Sequence, residues 1–229
     1  MRQPFLKQTK RLNLKKWNSS LKINIYNNHF QLACSGVCYW EEQKVLLVAD
    51  VHLGKISHFR KHGSAVPRTA IQTNFDRLDE AVAQFQPKKI IFLGDLFHSA
   101  LNAEWNLFEN WLQNQPAKII LIAGNHDIIS PIHYEELGVK IHQELQVGNF
   151  RLTHHPEEKE SDFNICGHIH PGYRLVGLAK QHLKLKCFFR SKNQLILPAF
   201  GEFTGTFLMN PEAEDQVFVC AKTEVIRVN

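Results

Sequence analysis

The chain lacks any apolar stretch near the ~20 residues that a membrane-spanning helix needs, although 44% of its 229 residues are hydrophobic. No charged opening followed by a long apolar segment is present, so no secretory leader is expected. Cysteines are few, odd in number and scattered: Cys34, Cys38, Cys166, Cys187 and Cys220. That argues against a disulfide framework and for reduced thiols in a cytoplasmic protein. Cys34-x3-Cys38 has no second pair to complete a zinc site and reads as two strand or turn cysteines. Internal repeats, low-complexity tracts and linkers are missing too. Acid is missing locally: residues 1–22 hold seven Lys and Arg and no Asp or Glu, which leaves −2 for the rest of a chain whose formal charge is +5. The basic balance therefore describes an arm, expected over residues 1–20, and not the single domain expected over 21–229. Such an arm can bind nucleic acid by counterion release. It reads equally well as a solvated extension.

What is present is a series of apolar runs, each ending in polar residues. Lys44–Ala49, Lys89–Leu93 and Lys118–Ala123 are continuous apolar runs, the mark of strands buried on both faces. Between the first two, Ile71, Phe75, Leu78, Val82 and Phe85 recur at helical spacing before Pro87. Between the second and third, Trp105, Phe108 and Trp111 do the same before Pro116. Strand–helix–strand–helix–strand implies parallel pairing with right-handed crossovers. Upstream, Ile23/Ile25, Phe30/Leu32 and Val37/Tyr39 alternate as strands around polar turns. From about residue 137 the chain turns β-rich again, over 139–143, 150–154, 163–166, 183–188, 194–198, 205–209 and 216–227, and a second sheet is expected there. The fold class is α/β, with two sheets packed together.

The three buried strands end directly in Asp50-Val51-His52, Gly94-Asp95 and Gly124-Asn125-His126-Asp127. Parallel strands set their carboxyl ends side by side, where α/β sheets bind ligands. Thr153-His154-His155 and Gly167-His168-Ile169-His170 add imidazoles from the second half. This is a donor set for two adjacent divalent metals about 4 Å apart, which suits a phosphate ester as substrate. Asp95 is the natural bridge between them. Asp50 and His52, two apart on extended backbone, face one side together. Each motif alone would be an ordinary polar turn; their joint occurrence at strand ends is what carries the inference.

In this order, Asp-x-His, Gly-Asp-x-x-His, Gly-Asn-His-Asp, a lone His and Gly-His-x-His resemble the calcineurin-like metallophosphoesterases over residues 44–172. That resemblance implies a four-layer αββα sandwich and two metal sites. The first would take Asp50, His52, Asp95 and His170; the second would take Asp95, Asn125, His154 and His168. His126 would protonate the leaving oxygen or stabilise the transition state, with Asp127 orienting it. His98 stands where the superfamily's nucleases carry a histidine that supports the catalytic one, and no arginine follows as in the protein phosphatases. Val48–Lys55, Phe92–Ser99 and Leu197–Gly205 further resemble PdeM, the ligase-associated DNA damage response endonuclease family. This likeness runs from about residue 24 to the C-terminus.

The likeness implies a binuclear phosphodiesterase or endonuclease that uses a metal-bridging hydroxide. Its ions would be two divalent metals, Mn2+ first, with Fe2+, Zn2+ or Ni2+ compatible. DNA would be the substrate, in a repair setting with a DNA ligase and no membrane partner; several members of the family dimerise, which leaves a homodimer open. His154-His155-Pro156 departs from that family's His-Glu-Pro, so either histidine is open as the ligand, and the register of Arg151-Leu152-Thr153 favours His154. Asp-Val-His also replaces the usual Asp-Leu-His. Lys55, Arg60 and Arg68 are candidates to guide a phosphate backbone, against the alternative of a solvated face. Phe200 and Phe203, flanking Gly201, are expected to pack between the sheets, against the alternative of lining a substrate groove. Two other functions stay open: a phosphodiesterase for small or cyclic nucleotides, and an inactive scaffold in a repair complex.

Overall fold

A computed structural model describes residues 19–61, 63, 65, 69–157, 159, 161–177 and 181–229. The basic arm lies outside the described residues up to Asn18, and so does Arg68. Ser20 already opens the first strand.

Strands β1 (Ser20–Ile25), β2 (Asn28–Ala33), β3 (Cys38–Trp40) and β4 (Val45–Val48) form an antiparallel meander. Parallel strands β5 (Lys89–Leu93), β6 (Lys118–Ile122) and β7 (Lys140–His142) complete a seven-stranded sheet in sequence order. Helices α1 (Lys55–Lys61) and α2 (Thr69–Phe85) connect β4 to β5. Helix α3 (Ala103–Gln113) connects β5 to β6, and α4 (Pro131–Glu136) connects β6 to β7. The two helical stripes thus fall where their periodicity predicts. Residues 139–143 are a correction: β7 pairs with β6 in the first sheet and does not open the second.

The second sheet contains β8 (Leu145–Val147), β9 (Phe150–Leu152), β10 (Phe163–Cys166), β11 (Pro171–Val176), β12 (His182–Ser191), β13 (Gln194–Ile196) and β14 (Phe207–Leu208). Their order is β14-β11-β12-β13-β10-β9-β8, with β15 (Gln216–Cys220) on β12 and β16 (Val225–Arg227) on β15. The predicted segment 216–227 is therefore a hairpin and not one strand.

Alternation sorts the side chains into three layers. Val45, Leu47, Ile91 and Leu93 face the second sheet, meeting Leu152, Ile165, Phe188 and Phe218. Leu46, Val48, Ile90 and Phe92 face the helices, meeting Phe75, Leu78, Trp105 and Phe108. Burial of this apolar surface, at about 25 cal/mol per Å², holds both interfaces. The outer side of the second sheet is lined by Cys187, Phe189, Ile196 and Val217. Among the described residues no helix follows Glu136, and none is long and apolar enough to cross a membrane.

Register is what positions the site. Val48 pairs with Phe92, and Leu93 with Ile122, so the three parallel strands stop level. Pairing continues past the strand ends: the amides of Asp50, His52 and Leu53 donate to the carbonyls of Gly94, Asp95 and Leu96. Asp50 and Asp95 are thus locked side by side before any side-chain chemistry enters.

Candidate active site

The donors predicted from the five motifs converge. His52 Nε2 lies 3.3 Å from His170 Nε2, and His170 Nε2 lies 3.4 Å from Asp50 Oδ1. Asp95 reaches both halves of the cluster, with Oδ2 3.9 Å from His52 Nε2 and Oδ1 3.4 Å from His154 Nε2. His154 Nε2 also faces Asn125 Oδ1 at 3.0 Å and His168 Nδ1 at 3.1 Å. Asp50, His52, Asp95 and His154 are buried, whereas Asn125 stands at the exposed rim. Of the two adjacent histidines, His154 is the one buried among the other donors. His155 is exposed and rests its ring on His168 with centroids 4.1 Å apart.

Proton accounting shows what this cluster fits. His154 Nδ1–H donates to the Leu93 carbonyl at 2.9 Å, which leaves a lone pair on Nε2 of the neutral ring. That lone pair points at a carboxylate oxygen, an amide oxygen and another imidazole nitrogen. Asp50 Oδ1 is buried with no hydrogen-bond partner. With the ring proton on Nδ1, Nε2 shares no hydrogen with Asn125 Oδ1 at 3.0 Å or Asp95 Oδ1 at 3.4 Å, and such electron-rich pairs repel. They match ligands about 2.0–2.2 Å from a shared cation at right or tetrahedral angles. Groups that could hold a metal are Asp50/His52/His170 and Asp50/Asp95/His154, with His154/His155/His168 beside them. Burial, and then Lys55, push His52 down to about 2, and burial also lowers His168. Imidazoles kept neutral are the form that binds metal.

Backbone conformation aims the donors. Asp50, His52, Asp95, His168 and His170 all have φ between 51° and 70°, in the left-handed region. Asp and His tolerate it better than most residues, and it is found at sites the surrounding fold over-determines. Gly94, at φ +82°, is required on two counts, since a Cβ there would overlap the His154 imidazole.

His126 lies beside this cluster. Its amide donates to Asp95 Oδ1 at 2.9 Å, and its ring sits 5.5 Å from His52 and 5.0 Å from His98. Burial, then Lys55 and His126, push His98 down to about 4. Asp127 does not touch the His126 ring: it accepts from the amides of Gly124 at 2.9 Å and Phe97 at 3.1 Å. Any orientation it gives His126 acts through the turn. Burial raises its carboxyl to about 6. Lys55 is half-buried at the start of α1, close enough for Asp95 and Asp50 to favour its charged form while burial lowers it overall. Arg60 is exposed farther along the same helix.

Several supporting residues carry no motif. Glu104 on α3 is buried and accepts from the Gly54 amide at 2.7 Å and the Ser57 hydroxyl at 2.7 Å, anchoring the turn that carries Lys55. Arg77 on α2 donates to the carbonyls of Phe200 and Ser35 and to Glu202, with its guanidinium 4.3 Å over the Phe200 ring. Phe200 is buried as expected. Phe203 is a correction: it does not pack between the sheets and is 50% exposed.

The Phe200–Gly201 segment in turn supports the Asp50 loop, because Phe200 N–H donates to Ala49 O and Gly201 N–H to Asp50 O. A Cβ at Gly201 would overlap the Val51 carbonyl. Gly201→Ala is therefore expected to cost about 1–3 kcal/mol. Thermal unfolding should register this as a melting point several degrees lower, with reduced metal uptake on dialysis. An unchanged melting point and full uptake would contradict the close approach.

The sequence matches the family described as calcineurin-like phosphoesterase over residues 43–187. Among solved structures, the Pseudomonas putida nuclease MPE is 27% identical at a TM-score of 0.78, covering 92% of this chain and 100% of that one. Yfce, a phosphoesterase from E. coli, is 18% identical at a TM-score of 0.43, covering 80% of this chain and 97% of that one. Curated proteins give no match. With its donors converging at the ends of parallel strands, the chain belongs to the calcineurin-like phosphoesterases, hydrolases of phosphoester bonds that use divalent metals.

Proposed function

We propose that this protein is a binuclear metal-dependent nuclease that hydrolyses phosphodiester bonds in DNA. The observation that carries the reading is the convergence of lone pairs on two overlapping donor sets that share Asp95. Asp50, His52, Asp95 and His170 would hold one ion. Asp95, Asn125, His154 and His168 would hold the other. Carboxylate, amide and imidazole donors together suit Mn2+, and accommodate Fe2+, Zn2+ or Ni2+. Bound there, divalent ions polarise phosphoryl oxygens and make water nucleophilic near neutral pH.

The chain's own groups do the rest. Lys55, half-buried beside both carboxylates, binds a non-bridging phosphoryl oxygen. His126, with its ring 5.5 Å from that of His52, delivers a proton to the departing oxygen, and His98 packs against it at 5.0 Å. Asp127 fixes the turn that sets the His126 backbone. The nuclease name of the Pseudomonas putida structure supports DNA or RNA over small esters. A repair role beside a DNA ligase, in the cytoplasm, rests on the sequence resemblance to the ligase-associated endonucleases.

A metal-by-substrate grid tests the reading. Purified protein is stripped, reloaded with Mn2+, Zn2+ or Ni2+, and offered linear DNA and cyclic nucleotides in parallel. Cleavage of DNA with Mn2+, and none of cyclic nucleotides, is the expected result. Turnover of cyclic nucleotides alone would replace DNA as the substrate class. Failure to bind metal or turn over a chromogenic diester would make the protein a scaffold.

A further inference from the structure

The loop from Phe200 to Thr206 is tied to the donor cluster at both ends. Gly201 N–H donates to Asp50 O, and Phe207 N–H, just past the loop, donates to His170 O. Between them the loop is held rigidly. Arg77 ion-pairs with Glu202 at 2.7 Å, Asn74 Oδ1 accepts from the Glu202 amide, and the Thr204 hydroxyl donates to Gly201 O. Two large apolar rings project into solvent here: Phe203 within the loop, 50% exposed, and Phe207 just past it, 64% exposed. Phe203 has a φ of +60°, which bulky side chains rarely adopt, so the bonds around it hold the backbone there against its own preference. An isolated exposed phenylalanine is ordinary. Phe203 differs in sitting on a loop whose backbone is tied to Asp50 at one end and His170 at the other.

Cations stand three residues farther along. Arg174 on β11 and Lys184 on β12 are direct cross-strand partners, so their side chains share a face, and both are exposed. Lys184 Nζ donates to the Thr206 carbonyl at 2.8 Å, which places its charge against the end of the same loop. Reading outward from the donor cluster, the surface presents a flat apolar ring and then two positive charges.

We propose that Phe203 is the stacking platform for the nucleobase next to the scissile phosphate, and that Lys184 and Arg174 take the adjacent backbone phosphate. The proposal rests on the nucleic-acid reading of the site and assigns residues that determine its specificity. Every base has a π-face, so such a platform tolerates sequence while requiring an unstacked base. A base inside a duplex has both faces covered by its neighbours and offers none to Phe203.

The test uses Mn2+-loaded full-length protein and a short single-stranded oligonucleotide in which one abasic position is scanned along the strand. Phe203→Ala is expected to raise KM on the fully base-bearing strand by about ten- to a hundredfold, the scale of one lost base–aromatic stack. At one abasic position, wild type should show the same raised KM, and the variant should show no further loss. That non-additivity is the signature of direct contact. Phe203→Tyr keeps the π-face and should retain wild-type KM. Phe203→Leu keeps apolar area without the face and should behave as alanine, so the Tyr–Leu contrast carries the test if Phe203→Ala folds poorly. Lys184→Gln should lower the slope of log affinity against log salt by about one. Equal KM for Phe203→Ala and wild type, or losses that add at every abasic position, would overturn the platform. Absence of any DNA cleavage alongside turnover of a small diester would instead remove the nucleic-acid reading, and the platform with it.

Discussion

Replacing Asp95 by asparagine is expected to remove bound metal and diester hydrolysis together. Asp95 turns its two oxygens to different halves of the donor cluster, Oδ2 toward His52 and Oδ1 toward His154. Asparagine keeps the shape but takes away a unit charge and turns one oxygen into an NH2, a donor aimed where a cation belongs. A unit charge about 4 Å from another is worth about 4 kcal/mol at the effective dielectric near a protein surface. That is roughly a thousandfold for each ion, and both are affected. Elemental analysis after dialysis should therefore fall from two ions per chain toward none, with turnover lost in parallel. Equal metal content and equal turnover in Asp95→Asn and wild type would refute the shared-ligand assignment.

His126→Ala separates chemistry from metal binding. Its imidazole belongs to neither donor set, and its tie to Asp95 is made by the backbone amide, which alanine retains. Metal content should stay at the wild-type level while kcat falls by about 10²–10⁴, the scale of a lost general acid. The fall should be steepest for a nucleoside alkoxide, which needs a proton to depart, and shallow for a nitrophenolate, which does not. A uniform loss across leaving groups would make His126 a binding group. Loss of metal would make it a ligand.

The parts of this architecture legible in sequence were those set by local chemistry. Continuous apolar runs marked β4, β5 and β6, and stripes such as Phe75/Leu78/Val82 marked the helix that covers them. Asp50, Asp95 and Asn125 came together because they follow parallel strands that stop level. Elements too short for a period were harder: α1 and α4 are seven and six residues long, and Pro171-Gly172 reads as a chain breaker although β11 begins there. Sheet membership of Lys140–His142 depends on pairing with Ile120–Ile122, twenty residues away, and three residues carry no periodicity to report it. Glu104 and Arg77 were invisible for a different reason. Each acts on backbone atoms, 50 and 123 residues distant respectively, and a bond to backbone leaves no trace in the partner's identity. The exposure of Phe203, at a left-handed φ, likewise left no local sign in the sequence.

The left-handed φ of Asp50, His52, Asp95, His168 and His170 bears on how this protein can change. Each such residue costs about 1–2 kcal/mol at most, less for Asp and His. Five together can approach the net stability of an ordinary domain, about 5–15 kcal/mol. A substitution that lets one of these peptides rotate back would firm the fold while swinging a donor out of the cluster. Selection for heat tolerance alone would therefore erode catalysis first, and durable gains in robustness must come from the sheets and helices behind it.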